Sequence, residues 1–206
     1  IAHVYYLADA KELLRAGIDG FAHGIRDLEV DDEIMALFKA RPQFFLIPNL
    51  PDTPPFGNVL VWLSETLPSS QIEALKRAAA TTLSRPRLFD VQARSLKKLV
   101  AAGVRIAFGT DAGIGAPYGW SAHAEIADMV AAGMTPAQAI VAATRTSAEV
   151  LRLDQLGTIA AGKSADFIVL NANPLDDIMN TRRIAQVYLR GRQIDRTSLS
   201  QSWNRN

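Results

Sequence analysis

Short apolar runs alternate with stretches of helical periodicity along the first three quarters of the chain. Ile1–Val4 reads as the end of a strand. Ala8–Ala16 (ADAKELLRA) has the spacing of an amphipathic helix that Gly17 stops. Ile18–Ala22 is a second apolar run, ending in His23, and Asp31–Ala40 (DDEIMALFKA) is a second helix whose acidic start suits the helix dipole. Phe44–Ile47 has the composition of a buried strand and closes at Pro48. A Pro-rich loop, Leu50–Gly57, precedes helices at Val59–Thr66 and Ser69–Leu83, the second entered through a serine cap. Asp90–Ala102 (DVQARSLKKLVAA) is strongly amphipathic and stops at Gly103; Val104–Phe108, apolar but for Arg105, reads as a strand and runs straight into Gly109-Thr110-Asp111. A Gly-rich loop spans Ala112–Gly119, and helices follow at Ala122–Ala132, Pro136–Ala143 and Ser147–Leu151.

Strands alternating with helices predict βα units and a parallel sheet, and continuously apolar strands predict a sheet covered on both faces. A closed (β/α)₈ barrel needs eight strands and about 250 residues. The four runs seen here fit half of a TIM barrel better than a complete open sheet. The pattern changes after Leu153. Leu156–Ile159, Ala165–Leu170, Ile184–Leu189 and Gln193–Asp195 read as short strands, with turns at Gly162-Lys163 and Arg190-Gly191-Arg192 and no long helix. The expected division is a partial α/β barrel over residues 1–153 and a small β appendage over 154–206, with Ser198–Asn206 a frayed polar tail.

Composition narrows the chemistry. With 206 residues, 49% hydrophobic and 21% charged, the chain can bury a core. Lys+Arg and Asp+Glu stand at 22 and 21, which gives no field for nucleic acid or a membrane surface. No apolar stretch reaches the length of a membrane span. The absence of cysteine excludes disulfides, thiolate nucleophiles and Cys-based zinc sites. A metal would have to be held by Asp, Glu or the three histidines, His3, His23 and His123. The chain begins without Met, inside what reads as a strand and without a signal-peptide pattern, so an N-terminal part and any targeting segment are expected to be missing; the compartment stays unassigned.

His3, His23 and Asp111 each follow an apolar strand, at the end of the βα units where barrel active sites are built. Two imidazoles and a carboxylate brought to one mouth are plausible ligands for a divalent cation. Each alone reads as readily as a core or capping residue, and the pattern leaves both readings open. His123 lies near a helix start, where a contact at the barrel mouth competes with local capping alongside Glu125. Asn49, with Pro48, and the loop aromatics Tyr118 and Trp120 are candidates to line a substrate pocket. The acidic cluster Asp27, Asp31, Asp32 and Glu33 reads as a solvated helix start, and Lys163 with Asp166 as a turn.

Several runs also resemble a known family. They are His3, then Ala16-Gly17-Ile18-Asp19-Gly20-Phe21-Ala22-His23-Gly24, then Gly109-Thr110-Asp111-Ala112-Gly113, His123-Ala124-Glu125-Ile126 and Ala132-Gly133-Met134-Thr135-Pro136, with Ala139 and Ala143-Thr144. Leu156-Gly157-Thr158-Ile159-Ala160-Ala161-Gly162-Lys163-Ser164-Ala165-Asp166-Phe167 and Asn173-Pro174-Leu175 complete the set. In order, they resemble the amidohydrolase superfamily, and most of all the imidazolonepropionase-like group that includes Xaa-Pro dipeptidases. The resemblance implies the C-terminal half of a distorted barrel, strands five to eight, plus part of a β-sandwich. It implies hydrolysis of a C–N bond in a small amide, cyclic amide or dipeptide with one or two divalent ions, zinc first. His3 and His23 would serve one metal position, and Asp111 the other position and the proton shuttle. No nucleic acid or membrane partner is implied, and a homo-oligomer is compatible. The family's His-x-His pair and bridging lysine have no counterpart in this sequence and would lie upstream of Ile1. Two other readings stand beside this one: a non-catalytic half-barrel, and a phosphotriesterase-like hydrolase with the same metal logic.

Overall fold

The computed structural model describes residues 1–50, 63, 67–81, 86–113 and 119–203. Four short strands, β1 (Ala2–His3), β2 (Gly20–Ala22), β3 (Phe45–Ile47) and β4 (Arg105–Ile106), lie side by side in chain order as one parallel sheet. Helix α1 (Leu7–Arg15) joins β1 to β2, and α2 (Asp32–Lys39) joins β2 to β3. Helices α3 (Ser69–Thr81) and α4 (Pro86–Ala101) lie between β3 and β4. The α/β class and the parallel sheet predicted from the apolar runs are therefore present.

Register sorts the side chains into two faces. Ala2 pairs with Phe21 and His3 with Ala22, while Gly20, Phe21 and Ala22 pair with Phe45, Leu46 and Ile47. Phe21, Leu46 and Ile106 thus share one face, and all three are buried in a core with Leu14 of α1, Ile34 and Phe38 of α2, and Leu96 and Leu99 of α4. His3, Ala22 and Ile47 share the opposite face. Gly20 lies there too, where a Cβ would come within 2.5 Å of the Phe45 ring; a side chain at that position would displace the phenyl group. Backbone bonds extend the ladder beyond the strands: Val4 N donates to Ala22 O (3.3 Å), Gly24 N to Pro48 O (2.9 Å) and Ala107 N to Leu46 O (2.8 Å). These bonds hold the loops that carry the candidate residues.

The acidic cluster behaves as a helix start. Asp31 caps α2 by accepting from Ile34 N at 3.0 Å, and Lys11 pairs with Asp31 and Glu33, each at 2.6 Å. After β4 come α5 (Trp120–Ala131) and α6 (Pro136–Val141), the latter opened by a Thr135–Gln138 capping box with Pro136 in its first turn. A π-helical turn (Ala142–Thr146) then joins α6 to α7 (Ser147–Val150) without a break. The two separate helices expected at Pro136–Ala143 and Ser147–Leu151 form one rod with a π-bulge. The bulge places Ser147 Oγ where it donates to Ala142 O (2.7 Å) and accepts from Phe108 N (2.9 Å), tying the rod to the end of β4. The expected helix Val59–Thr66 and the Pro-rich loop lie outside the described residues except at Leu63 and Leu50.

The C-terminal segment carries a three-stranded antiparallel sheet, β5 (Phe167–Leu170), β6 (Ile184–Leu189) and β7 (Arg192–Gln193), with a 3₁₀ turn at Ile178–Arg182. Two expectations need correcting here. Leu156–Ile159 is not a strand. Its backbone is taken up by turns around Gly157 and Gly162, both at positive φ, and Ile159 is 90% exposed. Nor is the end of the chain simply a frayed tail, because α8 spans Arg196–Trp203. Asp195, expected in a strand, starts that helix by accepting from Ser198 N at 3.0 Å. Among the described residues, no helix is long and apolar enough to cross a membrane.

Candidate functional site

The ends of β1, β2 and β4 bring His3, His23 and Asp111 together in pairs. The His3 and His23 rings meet edge to face with centroids 4.3 Å apart. His23 Nε2 lies 3.9 Å from Asp111 Oδ2. His23 is buried between its two neighbours, while the Asp111 side chain is 52% exposed at the rim. The backbone is bent sharply at these loops. Among the described residues, five non-glycine positions have positive φ, and three of them are His23 (72°), Asn49 (42°) and Asp111 (53°). Each such position costs about 1–2 kcal/mol. Such strain gathers where side-chain placement matters more than local stability.

His23 also has partners that sequence patterns did not reveal. Its Nδ1 lies 2.8 Å from Asn49 Nδ2 and 3.1 Å from an Arg26 guanidinium nitrogen, which also donates to Asn49 O at 3.3 Å. Burial pushes the His23 pKa below its ordinary value, and the charges of Arg26 and His3 push it the same way against the pull of Asp111. The ring is therefore neutral at pH 7.

Asn49 is fixed from the other side by Glu125. This buried α5 carboxylate accepts from Leu50 N with both oxygens, at 2.9 and 3.1 Å. Asn49, expected at a substrate pocket, thus sits against His23. Glu125 and Arg26 are the residues the sequence reading missed. The only signals were their positions, two residues after His123 and three after His23.

His123 belongs to a different neighbourhood. Its Nδ1 lies 3.1 Å from Thr181 Oγ1. That hydroxyl gives its proton to Ile178 O at 2.9 Å, so it accepts from His123 Nδ1–H. The His123 ring is 6.2 Å from Trp120, over which the Arg182 guanidinium packs at 5.1 Å. Burial, then the Arg182 charge, lowers the His123 pKa. Among the described residues, its recorded contacts join α5 to the 3₁₀ turn and do not reach the strand-end trio. Tyr118 lies outside the described residues.

The donor types fit a divalent cation: two imidazoles and a carboxylate at the ends of β1, β2 and β4. Their pairwise approach does not close around one, and among the described residues no group of three or more His, Cys, Asp or Glu is arranged to hold a metal ion.

The Amidohydrolase family profile matches residues 58–194, about two thirds of the chain. This chain belongs to the amidohydrolase family. It stands with the imidazolonepropionase-like group. The imidazolonepropionase of Deinococcus radiodurans is 34% identical over 102 residues, covering 48% of this chain and 26% of that protein. A Xaa-Pro dipeptidase structure with methionine bound in its active site superposes with a TM-score of 0.66 at 28% identity, over 94% of this chain and 44% of that one. A structure from Bifidobacterium longum, assigned as a prolidase, gives 0.68 at 30% identity, over 94% and 46%. This amidohydrolase chain therefore spans less than half the length of the relatives it matches.

Proposed function

We propose that this chain supplies the second half of the active site of a metal-dependent hydrolase that cleaves a C–N bond in a small amide, cyclic amide or dipeptide. In this reading β1–β4 are the last four strands of a (β/α)₈ barrel, and the small antiparallel sheet is part of a β-sandwich beside it. The observation that carries it is the approach of His3 and Asp111 to His23 at the ends of β1, β4 and β2, with the two rings 4.3 Å apart and His23 Nε2 3.9 Å from Asp111 Oδ2.

His3, His23 and Asp111 are the groups that would hold divalent ions, zinc being a match to imidazole and carboxylate donors. When bound, such an ion would supply Lewis acidity, lowering the pKa of water toward neutrality and polarising the scissile carbonyl. Asp111 Oδ2, exposed at the rim, takes the proton from the attacking water and delivers it to the leaving nitrogen. His23 is neutral at pH 7 and holds its place through Asn49 and Arg26.

The test is Asp111→Asn in the full-length protein, assayed on Xaa-Pro dipeptides and on imidazolonepropionate. Loss of the proton shuttle predicts a fall in kcat of about 10²–10⁴-fold. The urea midpoint should be little changed, because Asp111 is exposed. A variant that keeps wild-type kcat would refute the role.

A further inference from the structure

We propose that a buried water-binding site lies between α4 and the loops after β2 and β3, formed by Gln92 and Ser95 and sized for one water molecule. Gln92 is 2% exposed, and neither the oxygen nor the nitrogen of its amide has a hydrogen-bond partner in the protein. Buried side-chain amides are as a rule paired, because an unpaired one gives up its hydration for nothing. Ser95 follows one turn later on the same face of α4 and is also buried. Its Oγ accepts from Val30 N at 3.1 Å, which leaves its hydroxyl proton in need of an acceptor.

Both residues line a cavity of about 10 Å³, walled otherwise by Gly24, Pro48 and apolar side chains. A buried water needs about 10–15 Å³ of such room and about two to four polar partners. The size excludes an organic ligand, and a cation would need about six oxygens, which this lining does not carry. Water also suits either orientation of the Gln92 amide, since it donates to the oxygen as readily as it accepts from the nitrogen. Gly24 is part of the site: a Cβ there would run into the Gln92 amide and lie 3.3 Å from its Cδ, so a side chain would push the amide out of place. Gly24 N also donates to Pro48 O at 2.9 Å, joining the two loops at the cavity wall. The water thus adds a polar link, beside the Ser95–Val30 bond, between α4 and the loop after β2. It does not rest on the function proposed above.

The test uses the 206-residue chain. NMR spectra that separate nuclear Overhauser transfer from chemical exchange should show transfer from water to the side-chain amide protons of Gln92. At 2% exposure, surface water does not reach that amide. Magnetic relaxation dispersion of the solvent oxygen counts waters held for longer than the protein takes to tumble. Its amplitude should fall by a single water in Gln92→Leu, which removes the amide. Gly24→Ala should give the same loss by displacing the amide, and should shift the Gln92 amide resonances. A wild-type protein with no transfer from water to the Gln92 amide would overturn the inference. So would a dispersion amplitude that Gln92→Leu leaves unchanged. Should Gln92→Leu fail to fold, the wild-type spectrum decides alone.

Discussion

Gly157→Ala tests whether the C-terminal segment is locked onto the rod that steadies the end of β4. Gly157 has φ +83°, and a Cβ there would lie 2.6 Å from Ala148 Cβ, 2.9 Å from Thr144 O and 3.0 Å from Arg145 Cα. Two of these three are backbone atoms of the π-helical turn, so no side-chain rotation relieves the overlap. Left-handed backbone costs an alanine about 1–2 kcal/mol. Forcing a methyl group into packed structure adds about 1–3 kcal/mol. The sum is about 2–5 kcal/mol. Gly162 supplies the control: its φ is +81° and nothing lies within 4 Å of a Cβ there, so Gly162→Ala carries only the backbone cost. Urea unfolding of both variants reads the difference. With a slope of about 2 kcal/mol per molar urea, Gly162→Ala should lower the midpoint by about 0.5–1 M and Gly157→Ala by about 1–2.5 M. Equal midpoints would show that the segment is not packed on the π-helical turn, and the reasoning would fail.

Three further outcomes follow from the same contacts. Ser147→Ala removes the acceptor of Phe108 N and the donor to Ala142 O; it should cost about 1–3 kcal/mol in urea unfolding and speed hydrogen exchange at Phe108. Ile34 is fully buried in the core of α2, so Ile34→Ala should cost about 2–5 kcal/mol, measured by the same unfolding curve. His23 and His123 are both held below their ordinary value of 6.5, so the unfolded chain binds more protons than the native one just below that pH. Stability from these rings is complete above pH 6.5 and falls as pH drops from 6.5 toward the folded pKa values, where the loss levels off. His123→Gln should flatten part of that slope in unfolding midpoints taken across the window, and an unchanged slope would exclude His123 from it.

Much of this was legible in the sequence because burial leaves a simple signature. A strand covered by helices must be apolar throughout, and the residue that breaks the run marks the strand end. That is why His23 and Asp111 stood out. Pattern placed the elements better than their edges: Val104–Phe108 is apolar at four of five positions, yet only Arg105–Ile106 pair as strand. The π-helical turn is invisible to periodicity, since the buried positions on and beside it, Ala139, Ala142 and Ala148, are small residues that mark no period. Asp195-Arg196-Thr197-Ser198 did contain a helix-start signal, which the polar composition of the tail obscured. Leu156–Ile159 has strand composition, but two left-handed glycines within the loop decide its path instead.

The partners of His23 were illegible for a different reason. Arg26 and Asn49 reach its ring only because Gly24 N bonds to Pro48 O and brings the loops after β2 and β3 alongside each other. Glu125 arrives from a helix 75 residues further on than Leu50. No local pattern encodes these meetings; they are properties of the parallel register. The consequence is chemical. The sequence identifies which residues could be ligands, but the surroundings of the His23 ring are set by Asn49 and Arg26. Candidate ligands on strand ends can therefore be read one strand at a time, whereas their readiness to bind depends on how neighbouring loops pack.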